Sequence, residues 1–94
     1  MKLARKHWTY SRIGGVIKGE VEYEVAGPYP DFPGTVRWFL DPVTREIEIN
    51  NTGYGGALPD TALNLAKALR TAVRRAEAAQ AAYDAREITT EDME

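Results

Sequence analysis

Cysteine is absent from this 94-residue sequence, histidine occurs once, and every apolar run is short. Without cysteine there is no disulfide framework, no thiolate nucleophile and no thiolate metal site. A membrane span needs about 20 apolar residues, and the residues after the basic Lys2, Arg5 and Lys6 do not form the apolar stretch of a signal peptide. We therefore expect a soluble protein of a reducing compartment, the cytoplasm.

The composition is that of a small globular protein. Hydrophobic residues make up 44% of the chain and charged residues 28%, and a domain of this length buries roughly 60–70% of its unfolded surface. The net charge of -2 removes the general electrostatic argument for nucleic-acid binding but permits a local basic patch. We expect one α+β domain over residues 1–88 and a disordered acidic tail over residues 89–94.

Alternating apolar and polar residues predict the first two β-strands. The first covers Leu3 to Ile13 and ends at Gly14-Gly15, a strong hairpin signal. The second has an apolar face and a charged face, which carry Ile17, Val21, Tyr23 and Val25, and Lys18, Glu20, Glu22 and Glu24, respectively. Gly19 interrupts the apolar face, which predicts a bulge or the close approach of another residue.

Two further strands follow a loop. Three prolines lie within residues 27–34, which excludes a helix or a central strand there. Thr35 to Asp41 is predicted as the third strand and Arg45 to about Asn50 as the fourth, with the turn Asp41-Pro42-Val43-Thr44 between them. The small polar residues from Asn50 to Gly53 end the sheet.

One long helix is predicted from about Thr61 to Arg86, with Asp60 or Thr61 as its N-cap. The residues expected to face the sheet recur with helical periodicity: Ala62, Leu65, Ala66, Leu69, Val73, Ala76, Gln80 and Tyr83. Such a helix is about 39 Å long, longer than a typical strand. We therefore expect its far end to project beyond the sheet or to bind a partner.

Together these elements predict an α+β fold of order β-β-β-β-α, a four-stranded antiparallel meander with one long C-terminal helix packed on one face. The predicted core contains Trp8 or Tyr10, Ile17, Val21, Tyr23, Val25, Val36, Trp38, Leu40, Ile47, Ile49, Leu65, Leu69 and Val73. A sheet edge and an overhanging helix invite association, so we expect a homodimer.

Two features favour a protein partner. Tyr29 and Phe32 lie among prolines and offer rigid aromatic rings of the type that anchors interfaces, although a ring there also suits a cap on the core. Ala68, Ala78, Ala81 and Ala82 lie away from the predicted sheet-facing stripe. Ala78 and Ala82 would let another helix approach closely, but alanine is also the best helix former, which explains them without a partner.

Two alternatives involve anions. Lys67, Arg70 and Arg74 recur at helical spacing and form a basic stripe of the kind that contacts nucleic acid. Gly53, Gly55 and Gly56 precede the helix, where free amides can hold an anion, but the lysine and hydroxyl residue of a phosphate-binding loop are missing. A flexible or tightly turned connector is the favoured explanation of these glycines.

No constellation indicates catalysis or a metal. His7 has no cysteine or paired carboxylate near it in the sequence, so we expect a histidine on a strand surface. Glu20, Glu22 and Glu24 share one strand face, which is typical of a solvated sheet surface. We therefore expect no enzyme, no cofactor and no metal.

Two segments resemble a known family. Tyr23-Glu24-Val25 with residues 30–36, and later residues 61–69, resemble the strand, loop and helix of HicB-type antitoxins. In that family the helix follows the loop closely, whereas here a hairpin arm carrying Trp38, Ile47 and Ile49 intervenes. The resemblance covers less than half of the chain and implies an intracellular binding protein, without assigning a role to any residue.

The expected function is a non-catalytic protein-protein interaction module, a small inhibitor or adaptor that acts on a larger protein. The alternative is a nucleic-acid-binding or antitoxin-like regulator that uses the basic helix stripe. Binding of a small anion at the glycine-rich loop is the third candidate.

Overall fold

The computed structural model describes residues 7–11, 14–25, 34–51 and 59–88. These residues form four strands and one helix, namely β1 (Thr9–Ser11), β2 (Val16–Tyr23), β3 (Gly34–Asp41), β4 (Glu46–Asn51) and α1 (Pro59–Asp84). The strands form one antiparallel sheet in the order β1-β2-β3-β4, and α1 packs against one face of it. The predicted α+β fold is confirmed.

The strand register brings the apolar residues of neighbouring strands together on the face that α1 covers. Ile17 is paired with Leu40, and Val21 with Val36. These four side chains, with Tyr23 and Trp38, form the buried part of the sheet. Because side chains alternate along a strand, the polar residues between them face away from α1 and form an open face of the sheet.

The glycines of the first hairpin and of β2 behave largely as predicted. Gly14 and Gly15 have φ angles of 89° and 64°, which residues with a Cβ atom rarely adopt. The pairing of β2 with β3 continues past Gly19 without a bulge. A Cβ atom on Gly19 would lie 2.5 Å from the carbonyl oxygen of His7 and 2.6 Å from the Trp38 ring. The close approach predicted for Gly19 is therefore confirmed.

The turn between β3 and β4 begins at Asp41, as predicted. The Asp41 carboxylate accepts hydrogen bonds from the backbone N–H groups of Val43 and Thr44, at 3.0 and 3.2 Å. The Arg45 N–H donates to the Asp41 carbonyl at 2.7 Å, and Arg45 has a positive φ of 68°. Local hydrogen bonds of this kind make aspartate a favoured first residue of turns.

The orientation predicted for α1 is wrong by part of a turn. The buried helix residues are Thr61, Ala68, Ala72, Ala76, Ala79 and Ala82. Ala62 is exposed, and Val73 is 41% exposed. Both were predicted to face the sheet. The sheet presents large side chains such as Trp38 and Leu40, so the small alanine side of the helix fits closely against them. Leu65 and Leu69 pack at the margin of this contact.

The expected overhang of α1 is also wrong. Buried residues recur along the helix as far as Ala82, and its C-terminal end is held by two contacts. The Tyr83 ring packs edge-to-face on Tyr10 with centroids 6.5 Å apart, and the Arg45 guanidinium donates to Asp84 Oδ2 at 2.8 and 3.0 Å. The first hairpin and the β3–β4 turn therefore support the C-terminal end of α1 beyond the centre of the sheet.

Two residues predicted for the core are exposed, so the prediction is wrong for them. Ile47 is 39% exposed and Val73 is 41% exposed, whereas Leu40, the partner of Ile47 across the sheet, is fully buried. A helix is about 10 Å wide and covers about two strands at a spacing of about 4.8 Å. The side of β4 that faces the helix layer is consequently only partly covered.

Several predictions fall on residues that the structure does not describe. They concern Lys2, Arg5 and Lys6, the proline-containing loop with Tyr29 and Phe32, the glycines Gly53, Gly55 and Gly56, and residues 89–94.

Candidate interaction surface

The outward side of α1 combines apolar and basic side chains. Leu69, Arg70, Val73 and Arg74 line a shallow hollow of about 540 Å³. Residues at these spacings lie on one side of a helix, and Leu63, two turns before Arg70, is 63% exposed. This group, Leu63, Leu69, Arg70, Val73 and Arg74, is called the helix patch below.

The basic residues predicted on the helix are brought together as expected. Lys67, Arg70 and Arg74 are all exposed, and their spacing of three and four residues places them along one side of α1. Within the described residues, neither Arg70 nor Arg74 has a hydrogen-bond acceptor or a carboxylate partner. Both guanidinium groups are thus available to an external group.

A second polar side of α1 is used to hold the fold. Arg75 Nη1 donates to the Glu20 carbonyl oxygen at 3.4 Å, and Asn64 Nδ2 donates to the Glu24 carbonyl oxygen at 3.2 Å. These bonds tie the helix to the outer margin of β2. Arg75, which helical spacing places further round the helix than the basic stripe, therefore differs from Arg70 and Arg74 in having an acceptor within the fold.

The flank of α1 next to the helix patch faces the β3–β4 turn. Gln80 Nε2 donates to the Pro42 carbonyl oxygen at 3.1 Å, and Asp84, four residues later, binds Arg45. Val73 precedes Gln80 by two helical turns and so lies on the same flank. Val73 on α1 and the partly exposed Ile47 on β4 therefore lie on the same side of the molecule, the side of the β3–β4 turn.

The two alanines predicted to bind a partner have different surroundings. Ala78 is exposed, but Ala82 is 9% exposed and packs inward. Because the sheet-facing side of α1 is the alanine-rich one, Ala82 and Ala68 belong to the interior, and their interpretation as an external helix-pairing surface is wrong. The sequence signal that points to the helix patch is the larger pair Leu69 and Val73, which would otherwise be expected in the core.

A second hollow lies at the opposite face of the sheet and was missed by the sequence analysis. It has a volume of about 480 Å³, and its lining includes His7, Thr9, Lys18, Glu20, Arg37 and Phe39. The strand pairing makes Thr9, Lys18 and Phe39 neighbours in one row. The signal for it was Phe39, the one aromatic residue at an outward position of β3 between Arg37 and Asp41.

The glutamates of β2 are exposed, as expected of a solvated face. Glu20 also accepts a hydrogen bond from Arg37 Nε at 3.0 Å. An exposed pair of this kind contributes at most about 1 kcal/mol, so its main effect is to orient the two side chains.

Within the described ranges, no group of three or more histidine, aspartate or glutamate side chains is placed to hold a metal ion. The described part of the chain also contains no helix that is long and apolar enough to span a membrane.

Compared with protein-family profiles, curated proteins and solved structures, the chain has no significant match. The resemblance to HicB-type antitoxins remains an interpretation of the residues quoted above.

Proposed function

We propose that this chain is a non-catalytic protein-protein interaction module, a small inhibitor or adaptor whose helix patch binds a larger protein. The observation that carries the proposal is the exposure of Leu63 and Val73 beside two arginines without partners among the described residues. Large aliphatic side chains on an outward helix face are stabilised when a partner removes them from water.

The charge of the helix patch indicates the chemistry of the partner. Arg70 and Arg74 border the apolar surface, and arginine forms two-point hydrogen bonds with carboxylates. Arginine is also enriched at the energetic centres of interfaces. The complementary segment is therefore apolar with acidic residues beside its apolar side chains.

The same charges support nucleic-acid binding less well. Lys67, Arg70 and Arg74 provide a stripe of three cations, but Leu63 and Val73 expose apolar surface next to it, and the chain carries a net charge of -2. Binding to phosphates weakens steeply with salt. A partner held mainly by the apolar part of the helix patch should instead be retained when the salt concentration is raised.

The first prediction concerns the centre of the helix patch. Replacing Val73 with glutamate should abolish partner retention, because it buries a carboxylate against an acidic, apolar segment. The immobilised protein would be exposed to a lysate of its native host, and retained proteins would be compared quantitatively between parent and variant. A partner lost on substitution would then be purified and its affinity measured for both proteins.

Ala78→Glu is the matched control, since Ala78 is exposed and lies about 140° around the helix axis from Val73. It adds the same charge and nearly the same helix propensity, and it should retain the partner. If Val73→Glu retains everything that the parent retains, the helix patch is not the binding surface. If only Ala78→Glu loses the partner, the exposed side of α1 that carries Lys67 and Ala78, and not the side of Val73, binds it.

Self-association is the second candidate, and the edge strand β4 favours it. Within the part of the chain that the structure describes, β4 pairs only with β3, and Ile47 on it is 39% exposed. An unpaired strand edge offers backbone donors and acceptors to a second copy. This route to the expected homodimer replaces the one through Ala82, which is buried.

The second prediction tests that route. The parent should be a dimer by light scattering at micromolar concentration, and Ile47→Lys should be a monomer, because an inward-facing charge on an edge strand opposes pairing. Val43→Lys is the control, since Val43 is 77% exposed in the turn beside β4, and it should remain a dimer. A parent that is monomeric at high micromolar concentration would exclude self-association through β4.

A further inference from the structure

The outer edge of β2 is longer than the strand that pairs with it. β1 pairs only with residues 16–18 of β2, although β2 continues to Tyr23. The His7 carbonyl oxygen, two residues before β1, lies 2.5 Å from the position of a Cβ atom on Gly19, which is on the helix side of the sheet. Among the described residues, no strand therefore pairs with residues 19–23 on this side.

The backbone of Glu22 is available at this edge. Alternate residues of an antiparallel strand direct their N–H and C=O groups to opposite neighbours. The carbonyl oxygens of Glu20 and Glu24 face the outer edge, where they accept hydrogen bonds from Arg75 Nη1 at 3.4 Å and Asn64 Nδ2 at 3.2 Å. Glu22 lies between them with the same parity. Within the described ranges, neither a side chain nor a strand binds its outward N–H and C=O groups.

A groove separates this edge from α1. It has a volume of about 240 Å³, and its lining includes Val21, Glu22, Ala68 and Thr71. Val21 and Ala68 form its inner, apolar side, since both are buried. Every second side chain of a strand added to the edge would enter the groove, and the side chains between would lie on the open face of the sheet. The groove and the adjacent edge of β2 are called the edge groove below.

The strand side of the edge groove is acidic. Glu22 and Glu24 are exposed on the open face, and neither carboxylate has an ion-pair partner among the described residues. Lys67 is the one basic residue in the described lining, and it belongs to α1 and not to the open face. Opposite charges on neighbouring strands stabilise their pairing. Basic side chains on the open face are therefore favoured in an added strand.

We propose that the edge groove binds an extended segment of a partner protein in which basic and apolar residues alternate. The segment pairs with β2 as an added strand centred on Glu22. Its apolar side chains contact Val21 and Ala68, and its basic side chains lie beside Glu22 and Glu24. Continuation of the register of β1 would instead place Lys6 opposite Val21, on the apolar side. The sequence of this chain before β1 thus does not match the edge groove.

The test uses the terminally blocked peptide Lys-Val-Lys-Val-Lys-Val as the probe and backbone amide shifts of the whole chain as the measurement. The peptide should produce saturable shifts centred on Glu22. A peptide of three lysines followed by three valines has the same charge without the alternation, and it should bind about tenfold more weakly. The alternating peptide with methylated backbone nitrogens should also bind about tenfold more weakly, because it lacks the donors for strand pairing.

Two substitutions of Glu22 separate the backbone from the charge. Glu22→Pro removes the outward N–H group and should abolish the saturable shifts, whereas proline is tolerated at a strand edge. Glu22→Gln should weaken peptide binding about threefold, the scale of one cross-strand charge pair. Glu48→Gln is the matched control, because Glu48 is exposed on the same face but lies in β4, and it should bind the peptide as the parent does.

The proposal would be overturned by the absence of saturable shifts, by shifts confined to β4, or by equal binding of the alternating peptide and either control peptide. Unchanged binding by a folded Glu22→Pro protein would also overturn it; if this variant does not fold, the methylated peptide tests the same pairing on the parent. Shifts at Glu22 that depend on protein concentration without peptide would identify a second copy as the occupant, against the proposal.

The edge groove and the helix patch can be tested separately. Asn64 and Arg75 place the edge groove on the β2 side of α1, whereas Val73 lies on the side of the β3–β4 turn. Val73→Glu should therefore bind the alternating peptide as the parent does. Loss of partner retention in that variant with intact peptide binding would support both proposals, and either one can fail without the other.

Discussion

Replacing Trp38 with alanine is expected to lower the free energy of unfolding by about 3–5 kcal/mol, the range for deleting a large buried aromatic side chain. Trp38 is fully buried, and its ring lies between Gly19 and the α1 layer. Domains of this kind have a total stability of about 5–15 kcal/mol. The variant should therefore melt tens of degrees lower or fail to fold.

Chemical unfolding followed by circular dichroism would measure this effect. Val43→Ala is the control, because Val43 is 77% exposed in the β3–β4 turn, and its substitution should change stability by less than about 0.5 kcal/mol. A Trp38→Ala protein that melts within a degree or two of the parent would show that the register of β3 is incorrect.

Replacing Gly34 with alanine should have the second large effect, although only one methyl group is added. Gly34 is paired with Tyr23 across β2 and β3, and a Cβ atom at residue 34 would collide with the Tyr23 ring. The ring lies over Gly34, and its hydroxyl donates to Asn51 Oδ1 at 2.8 Å. Overpacking of this kind costs about 1–3 kcal/mol or more, and displacement of the ring would also break the hydrogen bond to Asn51.

A double-mutant cycle with Tyr23→Ala separates this collision from a backbone effect of the glycine. In the Tyr23→Ala background the ring is absent, so Gly34→Ala should cost much less than in the parent. Equal costs of Gly34→Ala in both backgrounds would mean that the backbone at residue 34, and not the aromatic ring, requires glycine.

The sheet is predictable from sequence because apolar and polar residues alternate along its strands. Ile17, Val21 and Tyr23 alternate with charged residues, and the structure buries all three. Local turn chemistry added the hairpin at Gly14-Gly15 and the turn at Asp41. Side chains of a strand alternate between the two faces, and one face of this sheet is buried. A shift of one residue would therefore expose every apolar side chain, so the inward-facing residues are fixed.

The orientation of α1 was not predictable in the same way. Hydrophobic periodicity favoured the side with Leu69 and Val73, but the sheet selects the side with Ala68 and Ala72. The choice depends on the volume left between the two layers after Trp38 and Leu40 are in place, which no local pattern in the helix contains. The misassigned side is the one that now forms the helix patch.

The amino-acid sequence by itself determined the element order, the inward residues of β2 and β3 and the basic stripe of α1, because these follow from local periodicity and turn preference. Tertiary structure alone decided which arginines remain without a partner, as shown by Arg75 at the Glu20 carbonyl. It also decided that Phe39 and Arg37 join His7 around one hollow. Both outcomes depend on contacts between residues distant in the chain, whose geometry is set only when the layers pack.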